Sequence, residues 1–554
     1  MNRAIRGLIP IVLAAAPAHA VQAQNGTWAL TNARIETVTR GTIDKGTIVI
    51  RNGLIEAVGA TVTLPPDARV IDLTGRVVTP GFFDLTSSLG LPAPATGGGG
   101  GGGGGGPPGQ QQQPPSGPVG MEPGREVASE LRISENDVRT ARSAGITSVV
   151  VAPTRGPFRG LSALVPMRDD TASRWIVRSP VALHMGFQTV PGRYPGSLLG
   201  VIAYERQQFC DAQRHGLVAD RYRANPRGSE RPRHDPHLDA LVPVVRGNVP
   251  VFFAAENENE IRRALNIGRE FNLKLSVVGA TEAFRAMDAL KGARVPVISV
   301  DFPEPAATTG WNYRGSQRLE PNDSTTRAAA ARKVLEGNPA TLHSAGVRFA
   351  LTSGTLRPDA FVTNVRKAIA GGLPRSAALE ALTIRAAEAA GVESQLGSIE
   401  PGKIANLVVT QGEPLTDSAR VRTVFVDGIR YEVVATPARP ATRGGGGGGG
   451  GGDAQVAGAW NVSTQSPQGT VQGTMTITQS GDSFEGTMTT EFGTVPIREG
   501  TITGRTISWT ITVNAGPQPI TVNYEGQVEG ERITGRATVG EFGSFPFTGQ
   551  RRPQ

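Results

Sequence analysis

VIDLTGRVVTPGFFDLTSSLG, residues 70–90, stands where the texture of the chain changes. The segments before it, ALTNARIETV, GTIVIRNG and LIEAVGA, alternate apolar and polar residues and are punctuated by Asn52-Gly53. That is the pattern of short strands joined by tight turns. Beyond it, helical and apolar stretches alternate: ENDVRTARSAGITSVVVAP, NEIRRALNIGREFNLKLSVVG, TEAFRAMDALKGARVPVISV and PATLHSAGVRFALTSG, with a closing helix around Arg375 to Ala390. Helix-then-strand units repeated in this way predict a parallel sheet, and about eight of them close a (β/α)₈ barrel. Strand texture returns in GSIEPGKIANLVVT and VRTVFVDGIRYEVV, where Asp427-Gly428 is a second hairpin signal. The expected architecture is therefore of the α/β class: a TIM-like (β/α)₈ barrel over 81–396, flanked by a composite β-sandwich built from 25–80 and 397–437.

Two glycine runs interrupt this order. Gly97 to Gly106 is followed by PPGQQQQPPSGP, giving a Gly/Pro/Gln-rich insertion at 97–118, and Gly444 to Gly452 lies in a linker at 438–455. Chain without side chains has nothing to bury and much entropy to lose, so both runs are expected to stay unstructured. Residues 456–554 are Thr/Val/Ile-rich runs broken by Gly, which predicts a separate small β-sandwich or β-barrel of six to eight strands. Trp460, Phe484, Trp509, Tyr524 and Phe547 are its expected core.

Arg3 and Arg6, the apolar run Gly7 to Pro17 and Ala18-His19-Ala20 have the layout of a secretory signal peptide, residues 1–20, cleaved after Ala20. The mature protein is expected in the periplasm or secreted, with no membrane span after cleavage. Cys210 is the only cysteine, which excludes an internal disulfide. The formal net charge is +8, but Lys and Arg are scattered among the acids without aromatic interleaving, which argues against nucleic acid. The densest basic cluster, Arg221 to His234, is broken by Pro and Gly and reads as a surface loop.

The stretch VVTPGFFD and the return segment GSIEPGKIANLVV, in which Asn406 stands at a usual Asp, resemble the amidohydrolase superfamily, in its imidazolonepropionase-like exported branch. The resemblance spans about residues 27–435. It implies a barrel whose first strand ends in His-x-His, with further metal-ligand His residues and a catalytic Asp on later strands. Those positions carry Thr86 and Ser88, Ala254, Gly279 and Gly354. Zinc needs three or four N, S or O donors, and these residues supply no strong ones. No metal is therefore expected, and zinc enters only under the reading that hydrolysis survives.

Other groups are weaker candidates for chemistry. His184 ends the strand-like VALHM and is read mainly as a histidine lining the barrel. Glu256, Glu282 and Asp301 lie near strand ends, where barrel sites form. His184, Glu256 and Asp301 are the barrel-mouth candidates. His234-Asp235-Pro236-His237 is read as a loop without metal, and Cys210, near His215, as a passive cysteine in a helical stretch. Two functions stay open: an exported pseudoenzyme binding a small ligand or protein partner, or a hydrolase of C–N bonds in cyclic or linear amides through an altered or metal-free site.

Overall fold

The computed structural model describes residues 26–91, 121–169, 175–190, 194–302, 330–354, 356–433, 455–466, 469–480, 483–490, 493–503, 506–513, 520–539 and 543–552. The expected signal peptide at 1–20, the insertion at 97–118 and the Gly444 to Gly452 run lie outside the described residues. The chain forms two compact units, Met1–Thr436 and Pro437–Gln554.

In the first unit, strands from both ends of the sequence join one eight-stranded sheet. Its order is Ile429–Glu432, Arg420–Val426, Leu407–Gln411, Arg76–Pro80, Trp28–Glu36, Thr42–Arg51 and Leu54–Gly59, with Arg69–Asp72 also paired to Trp28–Glu36. The flanking unit is thus hydrogen-bonded as a single sheet and not as two sheets with separate ladders. The register shifts between Leu30 and Ala33 and between Ala33 and Ile35, irregularities of the kind that locally bend a strand and increase its twist. Leu30 and Ile48 on one side, and Leu407 and Phe425 on the other, are buried in its core. Both hairpin signals form tight turns. Asn52-Gly53 and Asp427-Gly428 each have two successive positive φ values, 51° and 82°, and 51° and 73°, which is the type I′ geometry.

The barrel strands are Phe82–Ser87, Ile146–Val151, the continuous stretch Phe158–Leu161 and Ala163–Pro166, Leu183–Gly186, Val251–Ala255, Leu275–Gly279, Val297–Ser299 and Ala350–Thr352. Seven of these eight run parallel. The third is antiparallel to both neighbours, through Val150↔Leu164 on one side and His184↔Gly160 on the other, which departs from the all-parallel (β/α)₈ expectation. The cause lies in the connection: only Ala152–Pro157 join the second strand to the third, and a parallel crossover takes about a dozen residues or more. Elsewhere helices do lie between the strands, among them Glu135–Ser143, capped by Ser134, and Glu258–Glu270, capped by Asn257.

The seam between last and first strands is closed by side chains around Asp84. Thr352 Oγ1 donates to Asp84 Oδ1 at 2.8 Å, Ser353 N to the same oxygen at 3.0 Å, and Ser353 Oγ to Oδ2 at 2.7 Å. Asn406 ties sheet to barrel: its Oδ1 accepts from Asp427 N at 2.7 Å and its Nδ2 donates to Ser148 Oγ at 3.3 Å.

The second unit is a closed barrel of eight antiparallel strands in sequence order, from Gly458–Ser466 to Gly543–Arg551. Trp460, Phe484, Trp509, Tyr524 and Phe547 are all buried inside it. Trp509 stacks on Tyr524 with ring centroids 4.7 Å apart.

Candidate functional site

The C-terminal strand ends of the barrel open on a cavity of about 410 Å³, within the range of small-molecule sites. Thr86 and Ser88 reach it from the first strand, His184 from the fourth, Ala254 and Glu256 from the fifth, Gly279 from the sixth, Asp301 from the seventh and Thr352 and Gly354 from the eighth. Arg159 enters from the reversed third strand, whose N-terminal end lies at the mouth because it runs against its neighbours.

All eight residues singled out in the sequence line this one cavity. Their surroundings explain how the mouth is filled. A Cβ built on Gly279 would lie 2.1 Å from Glu256 Oε1 and 2.8 Å from Oε2, so the Glu256 carboxyl occupies the space above that glycine. A Cβ on Gly354 would lie 2.8 Å from Asp301 Oδ2 and 2.3 Å from Ser299 Oγ. A Cβ on Gly186 would meet Arg159 Nη2 at 2.8 Å and Ala254 Cβ at 3.1 Å, which places the guanidinium beside Ala254. Thr86 is held by a 2.8 Å hydrogen bond between its Oγ1 and that of Thr352.

The electrostatics follow from burial. His184 is 4% exposed, packs edge-on against Phe252 at 5.3 Å, and its Nε2 has no hydrogen-bond partner. Burial first, and then the Arg159 charge, push its pKa down to about 3, so the ring is neutral near pH 7. Glu256 keeps an exposed face on the mouth, but desolvation of its carboxyl and the neighbouring Asp301 charge push its pKa up to about 7. Burial lowers Arg159 to about 10, against the attraction of Glu205 and Glu256. Burial also lifts Asp84, against its hydrogen bonds to Ser353 and Thr352.

Sequence reading missed Arg159, Glu205 and the seam role of Asp84. Glu205 lies fully buried on the helix Leu198–Ala224, both carboxyl oxygens lack partners, and desolvation raises its pKa far above the ordinary carboxylate value. Its helix carries polar residues all round, so nothing in the sequence marks it. Arg159 had a signal: it is the one charged residue in the Gly/Pro-flanked apolar segment GPFRGLSALVP.

The remaining candidates lie outside the cavity lining. His215 Nε2 and His234 Nδ1 each lie 2.8 Å from a different oxygen of Asp239. His237 is not in a loop but in the helix Pro236–Val245, whose first turn is capped by Asp235. Cys210 is exposed on the long helix, which also takes in Arg221 and Arg223 from the expected surface loop. Glu282 accepts from Glu258 N at 3.3 Å.

The sequence model of the Amidohydrolase family matches residues 263–431, which cover the second half of the barrel and the returning sheet strands. An amidohydrolase from Thermotoga maritima MSB8 is similar in structure at a TM-score of 0.59, with 23% identity, covering 73% of this chain and 99% of its own. Molinate hydrolase reaches a TM-score of 0.45 at 18% identity over 75% and 97% of the two chains. Ochratoxinase of A. niger reaches 0.43 at 14% identity over 74% and 96%. No curated protein matches in sequence. Barrel and sheet together have the fold of the Thermotoga maritima amidohydrolase, and the family match falls on their second half.

Members of that family usually use a divalent metal, which requires about three or four converging donors. Among the described residues no three His, Cys, Asp or Glu side chains are grouped to hold one. The carboxyls that are present cover Gly279 and Gly354, and a guanidinium stands beside Ala254. The donor set of the mouth does not fit such an ion.

Proposed function

We propose that this chain is an amidohydrolase-fold protein that works without a metal, and that its barrel mouth holds a small polar molecule without hydrolysing a C–N bond. One observation carries the reading: three family positions are refilled at once, by Arg159 beside Ala254, Glu256 over Gly279 and Asp301 over Gly354. Hydrolysis in this fold depends on lowering the pKa of water from about 15.7 to about 7. A guanidinium orients anions but cannot do this, and Gly354 offers no carboxylate as general base.

A second reading is favoured by Glu256 alone. A carboxyl that titrates near 7 beside a second carboxyl is suited to metal-free acid–base work. Assays of amide and lactam hydrolysis with chelator-treated protein separate the two. The binding reading expects no turnover above buffer. Turnover that survives the chelator and disappears in Glu256→Gln establishes the second reading, and turnover that the chelator abolishes refutes both.

We also propose export, on the basic start, the short apolar run and Ala18-His19-Ala20. N-terminal sequencing of the mature protein should then begin at Val21; a mature chain that retains Met1 contradicts it.

A further inference from the structure

Groups of both signs meet in the mouth, and two of their buried polar atoms have no hydrogen-bond partner. Arg159 Nε donates to Gly156 O at 3.2 Å, and its guanidinium forms no ion pair among the described residues. Asp301 Oδ1 is buried with no hydrogen-bond partner, and so is His184 Nε2 on a side chain that is 4% exposed. The Glu256 carboxyl lies over Gly279 on the same cavity wall. Buried polar atoms left unpaired carry a desolvation cost that a ligand removes.

We propose that the mouth binds a small zwitterion, its carboxylate on the Arg159 guanidinium, its ammonium between Asp301 and Glu256, and His184 Nε2 as a neutral hydrogen-bond partner. The proposal rests on the metal-free reading above, since a metal would take the same space. The chemistry is matched at each end. The guanidinium is a planar fork suited to a carboxylate, and an ammonium has three donors for acceptor-only carboxylates. A ligand with one charge pairs one end and leaves the other desolvated. The cavity of about 410 Å³ is large enough for an amino acid and too small for a long peptide.

Binding is coupled to protons through Glu256. Its carboxyl is faced by Asp301, Glu260, Arg159 and Thr281, and Glu260 Oε2 also accepts from Glu256 N at 2.8 Å. An arriving ammonium favours the ionised carboxylate, so below about pH 7 it must expel a proton. Affinity therefore rises as pH increases through that value.

The test is isothermal titration calorimetry on the chelator-treated full chain at pH 8, with glycine, β-alanine, 4-aminobutanoate and 6-aminohexanoate as a length series. Alkylamines and alkanoates of matching length are the controls. One zwitterion should bind at least about tenfold more tightly than either of its controls. Arg159→Gln and Asp301→Asn should each weaken it by about tenfold or more, with Arg159→Lys retaining part of the affinity. Circular dichroism of each variant separates lost binding from lost folding, and the pH 6 to pH 8 gain should vanish in Glu256→Gln. No binding by any member up to about 10 mM overturns the proposal, as does a control that equals the best zwitterion. Chelator-sensitive turnover found without zwitterion binding refutes both readings; zwitterion binding found together with it refutes only the metal-free one.

Discussion

At the scale of single residues, the barrel mouth is defined by what stands beside the expected family positions. Thr86, Ser88, Ala254, Gly279 and Gly354 were legible only through the resemblance of the flanking motifs to the amidohydrolase pattern; the alternation of helix and strand places strand ends but singles out none of these residues. The groups that stand beside these positions were only half legible. Glu256 and Asp301 could be placed near strand ends, but Arg159 reaches the mouth only because its strand is reversed, which hydrophobic patterning does not encode. His184 gives the clearest residue-level prediction. Its pKa of about 3 in the fold lies below the ordinary 6.5, so the unfolded chain binds the proton more tightly. The associated stability is present above about pH 6.5 and is lost as pH falls towards 3, with about 2 kcal/mol gone by pH 5. Thermal melts should therefore show a smaller drop between pH 8 and pH 5 for His184→Gln than for the unmodified protein. Equal drops would mean that the imidazole is not held neutral.

At the scale of elements, local chemistry and tertiary constraint divide the account. Asn52-Gly53 and Asp427-Gly428 were readable as hairpins because type I′ turns demand those residues. That the two turns meet was not readable: a Cβ on Gly428 would lie 2.6 Å from Gly53 Cα, and Gly428 has φ of 73°. Gly428→Ala should accordingly cost about 1–3 kcal/mol, through strain and contact with the facing backbone. A denaturant midpoint unchanged in that variant would count against close packing of the turns. Asn406 acts in the same region, bridging Asp427 and Ser148. Asn406→Ala leaves the Asp427 N–H without its acceptor, at a cost of about 1–3 kcal/mol measured in the same way. The reversed third strand is the element that sequence reading missed. Its apolar content predicts a strand, but polarity depends on the length of the connection, and six residues leave no room for a helix.

At the scale of the whole molecule, the two units have separate cores. The second closes its own ladder through eight strands and buries Trp460, Trp509, Tyr524 and Phe547 inside. Residues 455–554 expressed alone should melt cooperatively, and Trp509→Ala should cost the fragment about 3–5 kcal/mol. An aggregating fragment without a cooperative transition would contradict an independent unit. For the first unit, restoring Thr86→His, Ser88→His, Ala254→His and Gly354→Asp should not by itself create a metal site. An Asp at 354 meets Asp301 and Ser299 within 3 Å. The restoration should also require Asp301→Ala, and Arg159→Ala beside position 254. The most direct measurement is elemental analysis of the unmodified full chain purified without chelators. The account predicts zinc, iron, manganese, cobalt and nickel all far below stoichiometric amounts. One or two transition-metal ions retained per chain would contradict it.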